Sequence, residues 1–343
     1  MKNKTLHKPL KYLILGLITI NTLPILSGCT NTNKNDLTIT NVSYDPTREL
    51  YEDYNKAFTK HYNQTYGKDI KIIQSHGGSG SQARSVVEGS DADVVTLALE
   101  RDISLIEKAG LIEPDWITEF DEDSSPYTST ILFLVRKGNK KQIHDWNDLI
   151  KKDVEVITPD PKSSGGACWN FLAAWEYALQ NNQNDEEAAK QFVKALYDNV
   201  SVMDSGARGA TTTFVENKKG DVLIAWENEA LASIKEYPDE FEVVSPSISI
   251  LAQPSVAVVD ENVDKDGKRE IATEYIKYLY TEEAQNIIAE NGYRPCNQEI
   301  LKKYKDKFDL NMKLCTIKDF GGWKKAYEKF FQDGGIFDEI YIS

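Results

Sequence analysis

Cysteine is scarce in this 343-residue sequence, with four in all, at positions 29, 168, 296 and 315. No two stand in a Cys-x-x-Cys pair, so metal and redox motifs are unsupported. Positive charge is in deficit: Lys and Arg number 40 against 54 Asp and Glu, a net charge of −14. Nucleic acid is a poor partner for such a chain, because phosphate contacts need clustered Lys and Arg. Long apolar runs are missing too. Leu13–Ile20 is broken by Asn21, Thr22 and Pro24, short of the ~20 residues that span a bilayer. There is no Walker A sequence and no Gly-x-Ser-x-Gly elbow. Asp121-Glu-Asp123 lacks the spacing of a calcium loop. No metal and no cofactor is expected.

What is present is 41% hydrophobic and 27% charged, a globular composition long enough for two domains. At the N-terminus Lys2, Lys4, Lys8 and Lys11 precede the apolar run, and Leu26-Ser-Gly-Cys29 follows it. A basic region, a short apolar core and small residues make a secretory signal. Leu26–Cys29 resembles the lipobox of bacterial lipoproteins. The resemblance implies a signal over 1–28, cleavage before Cys29 with lipid on its thiol, and a polar tether over 29–36. In an exported protein Cys296 and Cys315 have two open fates, a disulfide or separately buried thiols.

Strands alternate with helices along the rest. Leu37–Val42, Asp69–Gln74 and Asp93–Leu99 read as strands, each followed by a helical pattern, which indicates an α/β domain with a largely parallel sheet. Asp45 followed by Pro46 reads as a helix start, an N-cap acceptor and then the residue suited to N1. An acidic link at Asp121–Tyr127 reads as the crossing into a second lobe, with strands at Thr128–Arg136, Val154–Ile157 and Asp221–Ala225. Ser255–Val259 reads as the return. The division expected is 37–122 with 250–343 as lobe 1, and 123–249 as lobe 2.

Four places share one grammar: Ser43–Thr47, His76–Gln82, Ser163–Ala167 and Ser205–Ala210. In each, a strand gives way to Gly, Ser, Ala or an acid, and then to a helix. Ligands of open α/β sheets collect at such carboxyl ends of strands. The first amides of a helix have no intrahelical partner, and aligned peptide dipoles leave that end partly positive. The loops therefore read as an anion cradle of main-chain N–H groups, with the Trp226 indole as a further donor. Other readings remain beside this one. A glycine-rich turn needs no ligand, Ser79 suits a helix cap, and Trp226 suits a core. His76 with Ser75 and Ser79 offers a base and a nucleophile. Gly78–Ala83 loosely matches a dinucleotide fingerprint, without the acid that would hold the ribose.

At these loops the sequence resembles the sulfate-binding proteins of bacterial ABC importers, thiosulfate-binding relatives included. The carriers are Asn-Val-Ser-Tyr-Asp-Pro-Thr-Arg-Glu-Leu-Tyr (41–51), Gln-Ser-His-Gly-Gly-Ser-Gly (74–80), Asp-Val-Val-Thr-Leu-Ala-Leu (93–99), Pro-Lys-Ser-Ser-Gly-Gly-Ala (161–167), Asp-Ser-Gly-Ala-Arg-Gly (204–209) and Asp-Val-Leu-Ile-Ala-Trp-Glu-Asn-Glu-Ala (221–230). The resemblance implies a two-lobed periplasmic-binding-protein-like α/β fold of type II with the ligand in the cleft. It implies no catalysis and a membrane permease as partner. The sulfate donors it implies are the amide of Asp45, the amide and hydroxyl of Ser79, the amides of Gly165, Gly166 and Ala207, and the indole N–H of Trp226. Cys168 stands where the family has Arg. Thiosulfate or molybdate is the alternative ligand. An enzyme acting on sulfate or phosphate esters is the alternative class.

Overall fold

The strand–helix alternation runs from Leu37 onward in a computed structural model that describes residues 37–342. The expected signal, Cys29 and the tether lie outside the described residues. The first units are β1 (Leu37–Tyr44), α1 (Arg48–Tyr66), β2 (Ile70–Gly77), α2 (Ser79–Val87), β3 (Val94–Leu97) and α3 (Glu100–Lys108). β1 pairs in parallel with β2, Leu37 opposite Ile70 and Tyr44 opposite Gly77, and with β3, Asn41 opposite Val94. All four residues of β3 are buried, as a parallel strand covered on both faces requires. α1 turns Leu50, Tyr51, Tyr54, Phe58 and Tyr62 inward, one stripe of a helical surface.

The second group comprises β4 (Ile131–Arg136), β5 (Val156–Pro159), α4 (Gly165–Asn181), α5 (Glu186–Asp198), β6 (Val200–Asp204), α6 (Ala207–Val215), β7 (Val222–Trp226), α7 (Glu227–Glu236) and β8 (Phe241–Val244). Its sheet runs β6–β5–β7–β4–β8. β5 is parallel to β6 and β7, and β4 is antiparallel to β7 and β8. The chain then returns to the first sheet as β9 (Ser255–Val258), antiparallel to β3, giving the order β9–β3–β1–β2. The two passages between sheets are bonded to each other. Ser129 and Ala252 exchange both N–H···O bonds at 2.9 Å, and Tyr127–Thr128 pairs with Arg294–Pro295. This is the two-lobed α/β architecture anticipated above.

Three local outcomes differ from expectation or settle an open choice. Asp45 is not a capping residue. A 3-10 turn spans Asp45–Thr47, Tyr44 takes the cap position, and no side chain caps it. Cys296 and Cys315 are free thiols. The tail, grouped with lobe 1 in the expected division, makes its main contacts on the second sheet's helices. Lys313–Cys315 pairs with Ile248–Ile250. α9 (Ile336–Ile342) packs against α5, and α8 (Trp323–Phe330) sets its rings against α4 while also touching α3. Ring centres lie 4.9 Å apart for Trp175 and Phe330 and 5.4 Å apart for Tyr197 and Phe337. Lys162 adds an ion pair to Asp338 at 2.8 Å. Large aromatic rings bury where other rings accept their edges, and α4 and α5 supply those rings.

Candidate functional site

The four turns, three of them glycine-bearing, meet where the carboxyl ends of the two sheets face each other. Glycine is required by distance at Gly165 and Gly78, and at Gly206 a Cβ would displace the Asp45 carboxylate. A Cβ on Gly165 would lie 2.9 Å from Leu99 Cγ and 3.0 Å from Ser79 Cβ, both on the other lobe. One on Gly78 would lie 2.8 Å from the Ser163 carbonyl, and one on Gly206 would lie 2.5 Å from Asp45 Oδ2. Further bonds cross the same seam. Trp169 Nε1 donates to Ala98 O at 2.9 Å and Asn228 Nδ2 to Pro46 O at 3.2 Å. Asp45, Ser79, Gly165, Gly166, Ala207 and Trp226 are thus gathered in one region. Ser79, Gly165 and Ala207 each open a helix and Trp226 precedes one.

The donors are not all placed as expected. Ser79 is buried, and its hydroxyl donates to Asp102 Oδ2 at 2.6 Å while accepting from Ala98 N–H at 3.0 Å. A hydroxyl has one proton, and this one is committed inside the first lobe. Ser79 therefore offers the cleft its main-chain N–H. The Trp226 indole donates to Gly166 O at 3.2 Å, so a guest would compete with that carbonyl. Tyr44 supports the indole, with ring centres 5.5 Å apart. Ser164 did not figure among the expected donors. It caps α4, its oxygen accepting from Ala167 N–H, and the cap geometry leaves its proton for another acceptor. The signal was present in the sequence, a serine directly before Gly165-Gly166.

Charge at the site is neutralised by pairing. Arg208, one residue after Ala207, forks onto Glu49 at 2.8 and 2.6 Å and reaches Glu229 at 2.9 Å. Burial pushes the Asp45 carboxyl up, with Arg48 and Arg208 pulling it back. His76 has Ser43 Oγ at 2.8 Å from Nδ1, whereas Ser79 is tied to Asp102, so the base and nucleophile considered from sequence do not form a pair. Burial, helped by Arg48, lowers the His76 pKa to about 4, leaving a neutral ring at pH 7. Among the described residues no cluster of His, Cys, Asp or Glu is arranged to hold a metal. A small cavity of about 10 Å³ lies within the second lobe, bounded by Pro159, Asn170, Ala207 and Trp226. A wider groove of about 590 Å³ opens nearby between Glu49, Leu231, Lys235 and Glu290. The candidate site is placed at the turns because unpartnered main-chain donors converge there.

The profile of the bacterial extracellular solute-binding protein family matches residues 39–294. The chain is 58% identical to the sulfate-binding protein of Escherichia coli K12, over 93% of this chain and 97% of that protein. It is 47% identical to the thiosulfate-binding protein of Pseudomonas aeruginosa, over 88% of this chain and 91% of that one. Among solved structures, the sulfate-binding protein SubI of Mycobacterium tuberculosis aligns at a TM-score of 0.75 with 34% identity, covering 86% of this chain and all of that one. The agropinic acid-binding protein AgtB shares the fold at a TM-score of 0.64. A fold of two facing sheets, matched over nearly its whole length by these relatives, assigns the chain to the bacterial extracellular solute-binding protein family.

Proposed function

We propose that this chain is the sulfate receptor of an ABC importer, binding the anion between its lobes and delivering it to a membrane permease. The observation that carries the reading is the approach of Gly78 and Gly165 to the opposite lobe at distances only glycine allows. The donors are the amides of Asp45, Ser79, Gly165, Gly166 and Ala207 and the indole of Trp226. The Ser164 hydroxyl takes the place first given to that of Ser79.

Sulfate is fully ionised at neutral pH and accepts hydrogen bonds without donating any. A dianion is costly to bury unless its oxygens are satisfied, and helix-end amides spread the compensation over neutral dipoles. Hydrogen phosphate carries a proton that needs an acceptor. In a pocket of donors that proton stays unpaired, worth about 1–3 kcal/mol against it. All the bonds form only with the lobes together, so sulfate shifts the population toward the closed form, and the permease reads that form.

The chain acts as a receptor and not as an enzyme. It is exported and held at the outer face of the membrane by lipid on Cys29. Division into 37–122 with 250–312, and 123–249 with 313–342, follows the tail contacts described above. Thiosulfate is the second reading, favoured by the 47% identity to a thiosulfate-binding protein. Isothermal titration of the mature protein with sulfate, thiosulfate, molybdate and phosphate decides among them. Tight sulfate binding without phosphate competition supports the proposal, and comparable displacement by phosphate refutes the acceptor-free pocket.

A further inference from the structure

Behind Ser79 runs a short series of polar contacts that anion capture does not itself require. Ser79 Oγ donates to Asp102 Oδ2 at 2.6 Å, and Arg101 Nη1 donates to Asp102 Oδ1 at 3.1 Å. The Arg101 guanidinium lies on the Tyr327 ring, 3.6 Å from its centre. Tyr327 belongs to α8, which is seated on the other lobe, with Trp323 edge-on to Trp169 of α4 at 4.6 Å. Trp169 closes the circuit by donating to Ala98 O, and the N–H of Ala98 bonds Ser79 Oγ. The path therefore leaves the ligand turn, passes through α3, reaches a helix carried by the second lobe, and returns.

Asp102 is 1% exposed. A buried carboxylate behind an anion cradle is unfavourable unless it is neutralised, because it has lost its water and it repels the guest. The charged and titratable groups facing it are Arg101 on its own helix, Arg84 of α2 and the Cys168 thiol of α4. Arg101 is the one in ion-pair contact. Burial drives the Asp102 carboxyl up, while Ser79 and Arg101 draw it back down. A guanidinium lying on an aromatic face is held there by the ring's negative quadrupole. That hold comes from α8, whose other rings pack on α4 of the second lobe.

We propose that Arg101 is a positioning residue of the anion site: seated on Tyr327 in the closed form, it neutralises Asp102, which in turn fixes Ser79 and the N-terminus of α2. The proposal rests on the reading of Ser79 as a sulfate donor. It makes helix α8 part of the binding machinery without any contact to the ligand.

The test is calorimetric titration of the mature wild type, Arg101→Gln, Arg101→Lys and Tyr327→Leu with sulfate at pH 7.5 and 5.5, with thermal melts of each. Arg101 is partly exposed and the melts report any loss of stability from leaving Asp102 unpaired, while Tyr327→Leu keeps the charge and removes its seat. Arg101→Gln is expected to bind about tenfold more weakly at pH 7.5, equivalent to about 1.4 kcal/mol. Its loss should be smaller at pH 5.5, because burial drives the Asp102 carboxyl up and a protonated carboxyl no longer repels sulfate. Arg101→Lys should stay within about threefold of wild type, with Tyr327→Leu intermediate, since a cation–π contact is the weaker of the two. Wild-type affinity in Arg101→Gln overturns the proposal, as does an equal loss at both pH values or a failure of Arg101→Lys to recover. No sulfate heat from the wild type overturns the sulfate reading itself, a result distinct from all of these.

Discussion

Arg208 and Glu49 join the two lobes by a two-bonded fork, with Nη1 to Oε1 at 2.8 Å and Nη2 to Oε2 at 2.6 Å. Arg208 is anchored from behind by the buried Glu229, so the pair can part only by moving Glu49 and the first lobe. Glu49 is half exposed, which limits the fork to about 0.5–1 kcal/mol. Glu49→Gln should therefore leave sulfate association unchanged and speed its release by about two- to fivefold, a loss within that range. Stopped-flow tryptophan fluorescence reads both rates, and an unchanged release rate removes the fork from closure.

The fork also carries a pH dependence. Burial pushes the Glu49 carboxyl up, but the Arg208 hydrogen bonds outweigh it and hold the pKa below the usual glutamate value. A carboxyl lowered in the folded state contributes stability that is present above its unfolded pKa and lost as pH falls through the folded one. His76 acts in the same direction by a different route. Its folded pKa of about 4 lies below the ordinary histidine value of 6.5, so the unfolded chain binds the proton first and stability falls as pH drops between the two. Urea melts from pH 7 to 4 should show this decline, with a shallower slope in His76→Gln. An identical slope would clear His76 of the effect.

Trp226→Phe deletes one donor and keeps a ring against Tyr44. Sulfate affinity should fall by about 1–3 kcal/mol with little change in melting temperature. Calorimetry that finds equal affinities takes the indole out of the site.

Gly165→Ala introduces a methyl 2.9 Å from Leu99 Cγ and 3.0 Å from Ser79 Cβ. Both neighbours belong to the opposite lobe, so the strain falls on closure and not on the folding of either half. Overpacking of this kind costs about 1–3 kcal/mol, and sulfate affinity should drop accordingly. Small-angle scattering should show a smaller sulfate-induced compaction than in wild type. Full compaction at equal affinity would mean that the lobes do not meet at Gly165.

Arg294 and Glu227 form a fork at 2.6 and 2.8 Å, with both side chains nearly inaccessible to water. Arg294→Met strands the Glu227 carboxylate in the interior, a loss of about 3–5 kcal/mol. A melting temperature within a degree or two of wild type would show that the pair contributes little.

Much of this was legible in the sequence because the relevant signals are local. Strand-to-helix turns rich in glycine and serine mark themselves, and the residues Asp45, Ser79, Gly165, Gly166, Ala207 and Trp226 do lie together. What was not legible depended on tertiary partners. The proton of Ser79 is taken by Asp102, 23 residues away, and no spacing rule links the two. Asp45-Pro46 has the composition of a capped helix start, yet Tyr44 takes the cap position while Asp45 Oδ2 lies against Gly206. The tail's place was hidden because its aromatic spacing shows that it has an apolar face and says nothing about which rings receive it.

The chain visits the first sheet, builds the second, and returns to the first for β9, while α8 and α9 cover α4 and α5 only near the end. Synthesis from the N-terminus therefore delivers neither half in finished form until the last stretch has emerged.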